Sequence, residues 1–374
     1  TTGQYNVSMG VGALRDNVGM NGSVALGYQS MMYANNAASG DTYNTAVGYE
    51  ALRGSSTPSN NTGIANTAFG FSALVNNTSG KENTAVGNSS MYFNTTGSEN
   101  TALGSSSLRN NESGVDNTAV GINSLESNLN GRNNAALGKN SMRSNISGEY
   151  NAGVGDGSLY YNSTGHLNSS LGHQSLFSNT EGNLNVGIGK FSGITNTVGN
   201  KNTFLGTDSD ASSNNLENAT AIGFGAIVDD SNKIRLGDSN ITVIEGQVAF
   251  TNASDRRLKK EIEITKYGLE EILKLKPVDY ILKSNGLKQI GFIAQDVKPL
   301  IPEVVTGKEG DLEKGETLGI TYTSLIPVLT KAIQEQQNSI NSQEKTISEQ
   351  QKTINDQQAL LKELLARIEK LEKQ

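Results

Sequence analysis

The sequence predicts a mainly β, fibrous chain that assembles as three copies. Residues 1–228 read as a parallel β-roll or β-solenoid and 229–253 as a β neck. A small α+β domain follows at 254–321, and a C-terminal coiled coil at 322–374. Three observations carry this: a glycine that returns every 17 residues, an abrupt change of composition near residue 254, and an unbroken heptad from Ile326 onward.

The repeat comes first. "NTAVG" at 44–48 returns as "NTAFG" at 66–70, "NTAVG" at 83–87, "NTALG" at 100–104 and so on to "ATAIG" at 219–223. Every step from Gly70 to Gly223 is 17 residues; the longer step into Gly70 spans the insertion "RGSSTPSNN" at 53–61. Small residue, apolar residue and Gly, then Ser-Leu, then an Asn/Gly turn, predict two short strands per coil. The apolar residue before each Gly and the Leu or Met of the second strand are expected to form the buried stack. Glycine suits the corners because it takes positive φ without steric cost. No coil can bury itself alone, so stacking is obligatory. The repeat resembles the β-roll heads of trimeric autotransporter adhesins and the shafts of phage tail fibres, and an intertwined triple β-helix is the open alternative.

Composition narrows the function. Residues 1–253 carry 11 Lys/Arg against 18 Asp/Glu, a net of −7, while 254–374 carry 19 of each. An acidic fibre is a poor partner for nucleic acid. No apolar run reaches the roughly 18 residues a membrane helix needs, and no signal peptide is visible. Starting at Thr1 in mid-pattern, the sequence reads as a fragment or a processed product. Cys is absent and only His166 and His173 occur, so no metal site and no cofactor are expected. Asp208 and Asp210 of "TDSDASSNN" offer oxygen ligands for Ca²⁺, but a solvated turn is the expectation there.

At the far end, heptad positions a are Ile326, Ile333, Ile340, Ile347, Ile354, Leu361 and Ile368. Positions d are Leu329, Gln336, Gln343, Gln350, Gln357, Leu364 and Leu371. Thr323 or Ser324 suits the N-cap, and Pro327 falls in the first turn. Ile at a with Leu at d favours a dimer, but polar layers lower stability and fix register and oligomer state. Four consecutive Gln at d, able to hydrogen-bond around a threefold axis, point to a homotrimer.

Between fibre and coil lies "NASDRRLKKEI" at 252–262. Residues 254–374 contain neither His nor Cys, so any nucleophile there is Ser or Thr, with Lys or a carboxylate as base. Ser254 and Lys259 are five apart; lysine can act as base once burial or neighbouring cations favour its neutral form. The competing reading makes Ser254 a plain N-cap before a solvated run of cations.

This stretch, followed by "LEEILKLKPVDY" (269–280), "IGFIAQDVKPLIPEVV" (290–305) and "YTSLIPVLTKAI" (322–333), resembles the intramolecular chaperone auto-processing domain of endosialidase tailspikes and phage tail fibres. The resemblance implies a serine peptidase that cuts only its own chain. Ser254 is then the nucleophile, Lys259 the base and Ala253–Ser254 the scissile bond, after the domain has trimerised the fibre.

The expected function is a structural, receptor-binding phage tail fibre in the virion, assembled in the host cytoplasm. Its expected partners are other virion tail proteins and a host cell-surface receptor, for which a glycan is one candidate, with no membrane insertion. A bacterial trimeric surface adhesin with the same chaperone is the alternative. A polysaccharide-degrading tailspike would need paired carboxylates, and the repeats carry no regular acidic position.

Overall fold

The computed structural model describes residues 3–34, 40–248, 251–283, 286–310 and 316–372. The chain divides into two compact units, Thr1–Ile241 and Thr242–Gln374.

The first unit is a parallel β-solenoid built on a 14-stranded sheet. Its strands are three residues each, such as Thr101–Leu103, Thr118–Val120 and Ala135–Leu137. They pair in register at the repeat distance, Ala102 against Ala119 and Ala119 against Ala136. Outside the strands the backbone also bonds coil to coil: Leu108 N donates to Ser124 O at 2.9 Å and Asp116 N to Ser98 O at 3.2 Å. Each inner strand thus finds both neighbours within its own chain, which decides for a solenoid over an intertwined triple helix.

Numbering a coil from its leading Asn, three expectations change. The coil holds one regular strand, not two. Position 9, the expected second strand, sits in the left-handed region, with φ 48° at Leu108 and 51° at Leu125. Positive φ at a bulky residue breaks an extended run, so among the described residues a strand pair forms at positions 9–10 only at the far end, as Asp210–Ala211 with Ile227–Val228, while Met20–Asn21 pairs with Gly40–Asp41 at positions 15–16 instead. The buried residue of the strand is its central Ala, and the apolar residue before the Gly faces outward, leaving Leu103, Leu137 and Leu171 exposed. Only the Leu/Met half of the expected stack is buried: Met91, Leu108, Leu125, Met142 and Leu159 are fully enclosed.

Polar ladders make up the rest of the interior. Asn117 donates from N and Nδ2 to Asn100 Oδ1, at 3.0 and 3.1 Å, and from Nδ2 to Gly131 O at 2.8 Å. At position 12, Asn111 Nδ2 donates to Asn94 Oδ1 at 2.7 Å and to Gly114 O at 3.1 Å. A net hydrogen bond contributes about 1 kcal/mol, so five per coil give roughly 5 kcal/mol. One buried Leu contributes about 1.5–3 kcal/mol. The amides therefore outweigh the apolar column. Glycine at position 15 is required because a Cβ on Gly114 would meet Asn111 Oδ1 and the Gly131 carbonyl. The repeat glycine at position 5, φ 138° at Gly104, would press a Cβ 2.5 Å from Gly121 O.

One coil breaks the pattern in a compensated way. Gly193 stands where Leu is expected, and Phe204 fills the space from the next strand in place of Ala. A Cβ on Gly193 would strike the Phe204 ring. Asp210 also departs from expectation. It is not in a solvated turn but buried, accepting from Thr195 N at 3.1 Å and Thr195 Oγ1 at 2.6 Å. Burial holds its carboxyl above the ordinary range against those bonds. Asp208, His166 and His173 are exposed, and among the described residues no cluster of His, Cys, Asp or Glu could hold a metal ion.

Within the stretch read as a neck, Ile234–Leu236 is a solenoid strand. Residues 242–248 form no strand, and 249–250 lie outside the described residues. In the second unit, α1 (Leu269–Lys274), α2 (Ala294–Val297) and the long α3 (Leu325–Glu372) join two small antiparallel pairs. These are Val278–Ile281 with Lys288–Gly291 and Val305–Gly307 with Leu318–Ile320.

Two predictions follow from the interior. Asn117→Ala leaves Asn100 Oδ1 and Gly131 O short of donors, so it should lower stability by about 1–3 kcal/mol. The exposed Ser113→Ala should stay within about 0.5 kcal/mol, both read from urea unfolding midpoints. Phe204→Ala should lose about 3–5 kcal/mol to a cavity. The pair Gly193→Leu with Phe204→Ala should recover most of that loss in the same assay, because it restores the packing of the other coils.

Candidate active site

The residues around the seam form a single 3₁₀ turn, Arg256–Leu258. Its N-cap is Asp255, whose carboxylate accepts from Arg257 N at 2.8 Å. The same carboxylate takes Arg257 Nη2 at 2.7 Å, and this guanidinium holds the Asp255 carboxyl below its ordinary value. The capping role falls one residue later than the plain reading of Ser254 assigned it. The Ser254 hydroxyl is free for another partner, and Lys259 supplies it.

Lys259 Nζ lies 2.7 Å from Ser254 Oγ. The turn brings this about: it folds the four residues between them so that both side chains emerge on one side. Ala253, Ser254 and Lys259 are all exposed. Of the surrounding cations, Arg257 is neutralised by Asp255, and Lys260 lies 3.7 Å from Glu261. The contact suits a hydroxyl and an amine that exchange a proton, with the Ala253 carbonyl one bond from the Ser254 amide.

The segment after the seam is tied down by partners the sequence did not reveal, because they come from far along the chain. Thr265 O accepts from Lys331 Nζ on α3 at 2.7 Å. Tyr267 donates its hydroxyl to Glu303 at 2.6 Å, which is the main cause of that carboxyl's lowered value. Leu269 N at the start of α1 donates to Glu335 Oε2 on α3 at 2.8 Å, beside the local cap in which Gly268 N donates to Glu271 Oε2 at 2.9 Å. Beneath them Val297, Ile301, Val304, Leu325 and Val328 form the unit's core, packed by Ile272, Leu275 and Phe292. "GFIAQDV" ends one strand and supplies α2, whose Val297 enters that core.

Helix α3 uses two faces. Leu325, Val328 and Ala332 bury against their own unit. The heptad face is left open: Ile326, Ile333, Ile347, Leu361 and Leu371 are exposed in the single chain. Forty-eight residues at about 1.5 Å each make a rod of about 72 Å. A seam of Ile and Leu of that length is satisfied only by further helices.

With this geometry in view, the comparison with known families is specific. Residues 254–306 match the family model described as chaperone of endosialidase. The match starts at Ser254 and ends before α3. No curated protein matches the chain. The chaperone of endosialidase is the self-cleaving chaperone domain, and it implies trimerisation in general. Together with the solenoid it fits a tailspike- or endosialidase-type protein with a C-terminal chaperone domain.

The two-faced helix gives a prediction. Ile333→Asp with Ile347→Asp should abolish self-association in sedimentation, because charge on a coil seam is unpaired and desolvated. The local fold of the unit should survive, since Leu325 and Val328 lie on the other face; hydrogen exchange at Ile301 and Val304 should be unchanged.

Proposed function

We propose that this chain is the structural, receptor-binding fibre of a phage tail, carried in the virion after assembly in the host cytoplasm. Its C-terminal domain trimerises and folds the fibre and then cuts itself off between Ala253 and Ser254. The single observation that carries the reading is the 2.7 Å contact of Ser254 Oγ with Lys259 Nζ at the first residue of the chaperone-of-endosialidase match.

The reaction runs as an acyl shift followed by hydrolysis. Neutral Lys259 takes the Ser254 Oγ proton as Oγ bonds to the Ala253 carbonyl carbon. The Ala253–Ser254 C–N bond breaks, the Ser254 nitrogen leaves as the amine with the proton from Lys259, and an ester joins Ala253 to Ser254 Oγ. Water then hydrolyses that ester, leaving the Ala253 carboxylate and free Ser254. One condition follows from the chemistry. Lysine must lose its proton, which burial promotes, yet both side chains are exposed in the single chain. Neighbouring copies are the natural source of that burial, so cutting waits for assembly.

Purified full-length protein should yield a fibre ending at Ala253 and a 121-residue piece starting at Ser254. Ser254→Ala and Lys259→Ala should each abolish the cut while α3 still assembles. Lys259→Arg should fail as well, because guanidinium keeps its proton at neutral pH. A denaturing gel with N-terminal sequencing reads the result. A band beginning at another residue, or undiminished cutting in Ser254→Ala, would overturn the reading.

A further inference from the structure

The outer face of the 14-stranded sheet is the largest feature that the chemistry above leaves unused. Positions 2 and 4 of each coil both point outward, since only the central residue of each strand is buried. From Thr45 to Ile222 eleven successive strands put Thr, Ser, Ala or Val at position 2 and Val, Phe, Leu or Ile at position 4. No charged residue occurs at either position in that stretch. Charge occurs at the rims instead, at Lys139, Asp156 and Lys190 of position 6 and at Lys81, Arg132 and Glu149 of position 16, although Phe71 and Ile122 also stand at position 6. At about 4.8 Å per coil the stripe runs for about 50 Å. An apolar stripe of this extent with a polar rim marks an interaction surface.

The period identifies the occupant. A partner that fills this stripe must present ridges every 4.8 Å in a straight row, and a parallel copy of the same solenoid does so. The heptad face of α3 is open, and the proposed trimer would set copies of this chain side by side and in the same direction. An outward glycan platform is a weaker reading of the exposed aromatics: Tyr28, Tyr49 and Phe71 stack on one another at 5.0 and 5.1 Å, which covers both faces of Tyr49 and one face of each end ring.

We infer that the position-4 stripe, Leu103, Leu137, Leu171 and Leu205 among its residues, is the surface on which copies of this solenoid pack against one another around a common axis. The inference rests on the proposed trimer and says which face builds it.

The chain contains no cysteine, so single replacements report cleanly. In full-length Ser254→Ala protein, Leu137→Cys and Leu171→Cys should each cross-link between copies under mild oxidation or with a short bismaleimide. Ser113→Cys, exposed at position 14, should not. Native mass of the same samples gives the oligomeric state. Trimers whose Leu137→Cys and Leu171→Cys fail to cross-link, or whose Ser113→Cys cross-links as well, overturn the face while leaving the trimer standing. Monomers in the native mass overturn both. If leucine-to-cysteine weakens the packing, Thr118→Cys at position 2 of the same face serves as a smaller perturbation and should cross-link too.

Discussion

The amide ladder at positions 1 and 12 is the interaction on which the fibre depends. Each buried Asn donates its nitrogen to the Oδ1 of the coil before and to the glycine carbonyl of its own turn, while its own oxygen accepts from the coil after. Such a chain of amides works only when every coil returns its Asn to the same place, because the Oδ1 of one must meet a donor on the next; the 22-residue coil keeps the contact, Asn66 N donating to Asn44 Oδ1 at 2.8 Å, with its extra residues taken up at 53–61. That requirement fixes the frame of each coil more tightly than apolar packing does, since Leu and Met exchange freely along position 9. It also dictates glycine at position 15, where any Cβ collides with the ladder. Among the described residues only Arg53 Nε is buried without a hydrogen-bond partner, so the polar interior is almost completely satisfied. That completeness is what makes so polar a core stable.

Much of this was legible in the sequence, and the failures have physical causes. Period, parallel stacking, glycine corners and the heptad are all set by local pattern, and the structure follows them. The second strand was misread because Ser-Leu looks like a strand pair, whereas the left-handed φ at position 9 is imposed by neighbouring coils and leaves no mark on composition. The outward turn of position 4 was misread for the same reason. Hydrophobicity says that Val and Leu prefer burial, but strand alternation lets only one of three residues face inward, and the tight interior admits Ala. The role of Phe204 follows only once Gly193 is known to lie beneath it. At the seam, sequence spacing brought Ser254 and Lys259 to notice; the cap at Asp255 is a local contact with Arg257 that Ser254 could equally have offered, whereas the ties to Lys331 and Glu335 depend on chain folding over 66 residues.

The two units solve different problems. In the solenoid nearly all partners lie one coil away, so its order propagates step by step and needs no distant contact. The second unit is held by residues far apart in sequence around a small core. Its long helix leaves a heptad seam open. A structure that completes itself locally has no need of a clamp to persist, so the proposed loss of residues 254–374 would be tolerable for a finished fibre.

Repetition nevertheless creates a difficulty that only the second unit resolves. Solenoid faces made of near-identical coils fit one another almost equally well when shifted by one coil, because position 4 is Val, Leu, Ile or Phe at every step. Side-by-side packing alone would therefore trap copies out of step by multiples of 4.8 Å. Register has to come from a sequence that is not self-similar. The d positions of α3 have that character: one Leu, four Gln, then two Leu. Sliding by one heptad sets a Gln against a Leu at each end of the block and buries an amide without its partner, at about 1–3 kcal/mol each. The helix thus distinguishes the aligned assembly from its shifted neighbours where the fibre cannot, and once alignment is copied into the solenoid that discrimination is no longer needed.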